Sequence, residues 1–148
     1  MKKFIISMAV IFSVLTTVTF ASGKLPVNEK VMQAFKKEFS NASNATWSII
    51  EAGLYRVTFT YNNITADAYF DGEGTLVATG RDINENQLPL VVLKALNTKY
   101  AGADVQHVIE YTFNNETEYL VTLGTDRGTQ IIKASAGGDL QLFKKIKN

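Results

Sequence analysis

A short motif occurs twice in this chain and limits the folds that the chain can adopt. Residues 54–60 read LYRVTFT, and residues 118–124, which lie 64 positions later, read EYLVTLG. This spacing implies a repeating unit of about 64 residues. One such unit is too small for a robust hydrophobic core, whereas two units can bury their apolar faces against one shared layer. The motif therefore predicts a single domain made of two tandem repeats, at about residues 27–84 and 85–148.

Each repeat is predicted to contain one helix followed by four strands. In the first repeat, Asn28 can cap a helix that runs to about Phe39 and carries Val31 and Phe35 on one side. In the second, Pro89 begins a helix with an apolar side of the same kind. Alternating apolar residues between turn residues predict the strands: 47–50, 54–61, 64–71 and 75–81 in the first repeat, and 106–113, 118–124, 129–134 and 140–146 in the second.

The N-terminal residues have the layout of a secretory signal peptide. Two lysines precede an apolar run from Phe4 to Phe20, and small residues follow it. This pattern predicts a signal peptide at residues 1–21 with cleavage after Ala21. We therefore expect a periplasmic or secreted domain at residues 22–148, with no stable membrane anchor after cleavage.

Charge and cysteine content narrow the possible functions. Without Lys2 and Lys3, the formal net charge falls from +1 to −1, and this balance does not favour binding to nucleic acid. The chain contains no cysteine, although export would place it where disulfides can form. We expect its stability to come from packing alone.

A set of structural positions resembles a known family. The set begins with Phe39, includes the repeated tyrosine motif and closes with a glycine and a leucine near the C-terminus. It comprises Phe39, Ala42, Trp47, Tyr55, Val57, Phe59, Ala66, Ala68, Phe70, Asp71, Gly74, Leu88, Pro89, Tyr100, Gly102, Ala103, Gly138 and Leu140. The pattern resembles the PepSY-like proteins of the beta-lactamase-inhibitor type, which are small exported bacterial proteins with two such repeats.

The resemblance implies an α+β fold and a binding role. The implied antiparallel sheet carries its helices on one face and leaves the opposite face open. In the inhibitory relatives that open face and its hairpins bind another protein. This chain lacks the cysteine pairs of the true beta-lactamase inhibitors, and none of their inhibitory residues can be matched to a numbered position here.

The residues with catalytic or metal-binding chemistry do not form a recognised site. His107 is the only histidine, and an enzyme hypothesis would pair it with a carboxylate such as Asp67. The acidic stretch from Asp71 to Gly74 is shorter than a calcium-binding loop and has the composition of a hairpin turn. We therefore predict a protein that is not an enzyme and has no catalytic residues, metal site or cofactor.

The predicted partner is a protein or peptide of the cell envelope, bound on the open face of the sheet. If Val57 and Phe59 point towards the helices, the neighbouring side chains point outward. The predicted partner-binding residues are Arg56, Thr58, Asp67, Tyr69, Leu120, Thr122 and Lys133. The position of Asp67 and Tyr69 on this face depends on the strand register.

One alternative function is that of a small-ligand carrier or sensor. It requires an apolar pocket between sheet and helices that side chains have not filled. Phe59, Tyr61, Phe113 and Tyr119 are the candidate lining residues. The sequence leaves the oligomeric state open.

Overall fold

The structure is a computed structural model that describes residues 27–126 and 128–146. Two helices, α1 (Glu29–Glu38) and α2 (Leu90–Lys99), each precede four strands, and a short 3₁₀ turn (Glu85–Gln87) leads into α2. The strands are β1 (Ser43–Glu51), β2 (Leu54–Tyr61), β3 (Ile64–Asp71), β4 (Leu76–Ile83), β5 (Asp104–Phe113), β6 (Glu116–Thr125), β7 (Gly128–Ser135) and β8 (Leu140–Ile146). The predicted signal peptide, residues 1–21, lies outside the described residues.

All eight strands form one open antiparallel sheet in chain order, from β1 at one edge to β8 at the other. The fold is therefore mainly β, with two helices packed on the sheet, and the antiparallel sheet expected from the sequence is confirmed. The predicted bounds of β2, β3 and β8 are correct. Strands β1, β5, β6 and β7 extend one to four residues beyond the predicted ones, and β4 begins one residue later and ends two residues later than predicted.

Two asparagine pairs close the tight hairpins and set the strand register. Asn62 and Asn63 have φ of 48° and 64°, and Asn114 and Asn115 have φ of 51° and 63°. Positive φ at both central residues is the type I′ turn, whose twist matches that of the flanking strands, and asparagine tolerates it. These turns set the cross-strand pairing between β2 and β3 and between β5 and β6.

Helix α1 packs on the first half of the sheet through aromatic side chains. Asn28 caps it by accepting a hydrogen bond from the Lys30 backbone amide at 3.0 Å. The ring centroid of its buried residue Phe35 lies 5.1 Å from that of Phe59 and 5.4 Å from that of Trp47, and both pairs are edge-on. Such aromatic pairs each add about 0.5–1.5 kcal/mol beyond their buried area.

Helix α2 packs on the second half of the sheet through aliphatic side chains. Val92 and Leu96 are its buried residues, and they join a cluster with Val108, Val121 and Ile132 from three adjacent strands. This cluster shares no residue with the aromatic cluster beneath α1.

A glycine in a hairpin lies close to the first turn of each helix. Gly74 has φ of 85°, and a Cβ placed there would lie 3.0 Å from the Lys30 carbonyl oxygen. Gly138 has φ of 92°, and its Cβ would lie 3.0 Å from Val91 Cγ2. Both positions combine a left-handed backbone with a close approach, which only glycine accommodates without strain.

Candidate functional site

The candidate site is the open face, which we define as the strand side chains directed away from the two helix clusters. In the first half, Val57 and Ala68 pack with α1. Arg56 lies opposite Tyr69, and the next residues on that side form a second cross-strand pair, Thr58 with Asp67. The register therefore places all four of these predicted residues on the open face.

The second half presents its predicted residues in the same way. Val121 and Ile132 pack with α2, so their neighbours in β6 and β7 point away from it. Leu120 lies opposite Lys133, and Thr122 lies on the same side of β6. Each half thus presents a separate group of residues directed away from its own helix.

Two of the predicted binding residues are buried, contrary to the expectation that they face solvent. Tyr69 is 7% exposed and Leu120 is 3% exposed. Tyr69 packs in an apolar cluster with Leu54 and Ala78, which partly buried Phe113 extends. Side chains on adjacent strands lie close enough to cover one another, so a sheet face can bury residues without a helix above it. Arg56, Thr58, Asp67, Thr122 and Lys133 remain half-buried.

Arg56 is held in place by a neutral partner. Its Nε donates a hydrogen bond to the Ser48 hydroxyl on β1 at 3.2 Å. On its other side it lies opposite Tyr69 of β3. Burial, followed by the Asp67 charge, raises the pKa of Tyr69, and the positive charge of Arg56 opposes this shift only in part.

Asp67 has a hydroxyl partner on the neighbouring strand. The Thr58 Oγ1 donates a short hydrogen bond to the Asp67 carboxylate. The carboxylate and the Arg56 guanidinium are thus each fixed by a different neutral group, Thr58 in one case and Ser48 in the other. No ion pair joins Arg56 to Asp67 or to any other carboxylate in the part of the chain that the structure describes.

In the second half, two polar side chains, Lys133 and Tyr111, converge on the carboxylate of Glu118. Lys133 Nζ lies 2.8 Å from Glu118 Oε2, and the Tyr111 hydroxyl donates to the same oxygen. Burial, followed by this hydrogen bond and the Glu118 charge, raises the pKa of Tyr111 well above its usual range. Sequence reasoning missed Tyr111 and Glu118, because only the β5–β6 register places them opposite each other.

A groove on the helix-bearing side provides a second candidate site. It has a volume of about 240 Å³. Phe39, Phe59, Tyr61 and Ile64 line it together with the ion pair between Arg81 Nε and Glu110 Oε1, which are 2.7 Å apart.

Two of the four residues predicted to line a ligand pocket, Phe59 and Tyr61, line this groove. Phe113 instead packs beside the Tyr69 cluster, and Tyr119 is buried in the α2 cluster.

His107 is paired with a different carboxylate from the one in the enzyme hypothesis. Its Nε2 lies 2.8 Å from Asp82 Oδ1, and the two side chains are 50% and 75% exposed. Asp67, the proposed partner, is bonded to Thr58 instead. An exposed pair of this kind is typical of a surface interaction and contributes little to stability.

The acidic hairpin after β3 uses its first carboxylate to close the turn. Asp71 Oδ1 accepts hydrogen bonds from the backbone amides of Glu73 and Thr75, at 3.0 Å and 2.8 Å. Ser135 has a corresponding role in the β7–β8 hairpin, where its hydroxyl accepts from the Asp139 amide at 3.1 Å. Within residues 27–126 and 128–146, no group of three or more potential ligands could hold a metal ion. No helix in the same residues is long and apolar enough to span a bilayer.

The comparisons with known proteins identify a class of fold. No family profile matches the chain, and no curated protein matches it significantly. Solved structures do match. A BLIP-like protein from Bacteroides fragilis has a TM-score of 0.73 at 27% identity, and the alignment covers 85% of this chain and 91% of that one.

Two further Bacteroides structures have the same fold at lower identity. A DUF2874 family protein from Bacteroides uniformis aligns at 24% identity with a TM-score of 0.70, over 76% of this chain and 84% of that one. A protein from Bacteroides eggerthii that is proposed to be periplasmic aligns at 20% identity with a TM-score of 0.70, over 81% and 90%. The chain therefore has a BLIP-like fold.

Proposed function

We propose that this chain is an exported, non-enzymatic binding module that recognises an envelope protein or peptide through its open face. The observation that carries the proposal is the set of half-buried polar side chains on that face, of which Arg56, Thr58, Asp67 and Lys133 are each bonded to a side chain of the neighbouring strand. Ordered polar groups around buried apolar residues are typical of protein interfaces. The BLIP-like name of the Bacteroides fragilis protein agrees with a binding role.

We further propose that the chain consists of two tandem repeats with both helices on the same side of the sheet. Support comes from the order of elements, in which a helix and four strands occur twice. Support also comes from the register across the middle of the sheet. Ala68 of the α1 cluster lies opposite Thr79, and four residues along β4 Ile83 lies opposite Val108 of the α2 cluster. Residues four apart in a strand point to the same side.

Export to the periplasm or cell exterior belongs to the same proposal. It is supported by the signal-peptide pattern of residues 1–21 and by the proposed location of the Bacteroides eggerthii protein. Pulse-chase labelling in a bacterial host should show a precursor that is shortened by about the length of the predicted signal.

Affinity capture with matched variants tests the binding role. The bait is the exported protein beside Thr60→Glu/Thr122→Glu, which adds two negative charges to half-buried positions of the open face. The control, Asn97→Glu/Thr98→Glu, adds the same charge to exposed positions on α2. We expect an envelope protein to be retained by the wild type and the control and lost by the open-face variant. Equal capture by all three folded baits would contradict the proposal.

The groove favours a second candidate function, that of a small-ligand carrier. Its volume of about 240 Å³ suits one aromatic or short aliphatic group, with the Arg81–Glu110 pair available for a polar end. Native mass spectrometry of the exported protein would reveal a retained small molecule. Ile64→Arg, which places a charge on the exposed wall of the groove, should release it.

A further inference from the structure

We propose that Arg56 is the anchor of the open face and that the partner presents to it the carboxylate of an acidic side chain. This inference rests on the proposed function and specifies the chemistry of the partner at one position. It follows from a difference between the two described arginines, from the way Arg56 is held, and from the charge beside it.

The first step is that the Arg56 charge has no ionic partner. Arg81 donates through Nε to Glu110 at 2.7 Å, whereas Arg56 donates through Nε to the neutral Ser48 hydroxyl at 3.2 Å. Lys133, the other predicted cation of this face, is paired with Glu118. Among residues 27–126 and 128–146, no carboxylate forms an ion pair with Arg56. A guanidinium has five donors, and its planar fork fits a carboxylate.

The second step is that Arg56 is ordered before a partner arrives. Ser48 of β1 holds its Nε through a hydrogen bond, and Tyr69 of β3 lies opposite it on the other side. Tyr69 is itself buried, with Leu54 and Ala78, so the side chain next to Arg56 is fixed. Ordering a long side chain costs free energy on binding, and the Arg56 side chain is already ordered in the free protein.

The third step concerns the kind of anion. Asp67 lies on the same face, two residues from Tyr69 on β3, so its negative charge is close to this site. A multiply charged anion such as phosphate would be repelled by Asp67 while it approached Arg56. Ser48 lies on β1 and Asp67 on β3, on opposite sides of β2, so a single carboxylate that approaches from the Ser48 side is repelled less. Arginine is also enriched among residues that dominate binding energy at interfaces.

A titration with matched small probes tests the inference directly. The exported protein is titrated with N-acetyl-glutamate N-methylamide and, separately, with the glutamine analogue, while side-chain Nε–Hε resonances are followed by NMR. We expect a saturable shift of the Arg56 resonance with the carboxylate probe alone. The Arg81 resonance, which belongs to a guanidinium already paired with Glu110, is the internal control and should not saturate. Equal responses to both probes, or equal responses of both arginines, would overturn the inference.

Variants at the same position make the test specific. Tyr69 ring resonances report binding in variants that lack the arginine. Arg56→Gln should abolish the saturable Tyr69 shift, and Arg56→Lys should keep it with at least about tenfold weaker binding, because an ammonium cannot form the bidentate contact. A saturable shift that survives in Arg56→Gln would place the anion elsewhere and overturn the proposal.

The outcome also separates this inference from the proposed function. The capture experiment with Thr60→Glu/Thr122→Glu leaves Arg56 intact. If that variant loses an envelope protein while the carboxylate probe does not bind at Arg56, the partner chemistry proposed here is wrong and the binding role stands. If the probe binds at Arg56 and all capture baits behave alike, the carboxylate site stands and the protein-binding role fails.

Discussion

Helices α1 and α2 hold corresponding places in the order of elements, but the clusters beneath them differ in chemistry. Phe35 of α1 packs against aromatic rings, whereas Leu96 of α2 belongs to a cluster of mainly aliphatic side chains that also includes Tyr119. The first turn of α1 is charged, and Lys30 pairs with Glu73 of the adjoining hairpin at 2.7 Å. The first turn of α2 instead exposes Leu90, at 85%. A shared layout of apolar positions therefore does not require shared side chains.

The open face differs between the halves in the same way. In the first half Arg56 and Asp67 are each bound by a hydroxyl group. In the second half Lys133 and Glu118 pair with each other. The second half is thus internally compensated, whereas the first retains charge that a partner can use. Variants at matched positions can test whether these contrasts have energetic consequences.

Removal of the central helix side chain should have the largest effect. Phe35→Ala is expected to lower the free energy of unfolding by about 3–5 kcal/mol, and Leu96→Ala by about 2–5 kcal/mol, because both leave cavities in closed clusters. Chemical denaturation measures both values. We expect the larger loss for Phe35, which also loses several ring contacts. A clearly larger loss for Leu96→Ala would mean that the aliphatic cluster is the more important one.

The hairpin glycines should rank next. Gly74→Ala and Gly138→Ala each force a left-handed backbone on alanine, which costs about 1–2 kcal/mol. Gly74→Ala should cost more, because the added Cβ meets the Lys30 backbone carbonyl, whereas at Gly138 the closest atom belongs to the half-exposed Val91 side chain. Thermal unfolding of the two variants gives the order. Equal losses would mean that backbone strain alone sets the cost.

Removal of the open-face cation should lower the free energy of unfolding more in the second half, where the cation is paired with a carboxylate, than in the first. Lys133→Met leaves the Glu118 carboxylate, 19% exposed, without its cation and should cost about 1–3 kcal/mol. Arg56→Met removes a hydrogen bond to the uncharged Ser48 hydroxyl, which water can replace at this half-buried position, and should cost about 1 kcal/mol or less. Urea denaturation compares them. If Arg56→Met proved the more destabilising, Arg56 would be a structural residue rather than a binding residue.

The smallest expected effect is on the pH dependence of the unfolding free energy. The pKa of Tyr111 is raised from 10.0 in the folded protein, so the folded state binds this proton more tightly than the unfolded state does. The stabilisation of the folded state that this pKa difference provides is complete below pH 10, the unfolded-state pKa, and is lost as the pH rises above it. We expect Tyr111→Phe to reduce the fall in unfolding free energy between about pH 9 and 11. Tyr69→Phe is the matched variant in the first half, where the raised pKa predicts a change of the same sign. If the pH dependence of the unfolding free energy in Tyr111→Phe equalled that of the wild type, the raised pKa of Tyr111 would be contradicted.

Local signals were sufficient to predict most of the secondary structure. Asn28 indicated where α1 begins, and the pairs Asn62–Asn63 and Asn114–Asn115 indicated where two hairpins turn. These signals depend on the backbone preferences of single residues, which act over a few positions. The alternation of β2 likewise placed Arg56 and Thr58 opposite the side that meets α1.

The residue pattern was enough to predict two helices, eight strands and the outward direction of Arg56 and Thr58 in β2. The packed sheet decided the 3₁₀ turn, the face on which Asp67 and Tyr69 lie, and the burial and pairing of the open-face residues. Tyr69 and Leu120 are buried there, and Glu118 joins Lys133 and Tyr111. The physical reason is that a strand residue faces one side through local geometry, whereas its burial and its partners depend on neighbouring strands that lie far away in sequence.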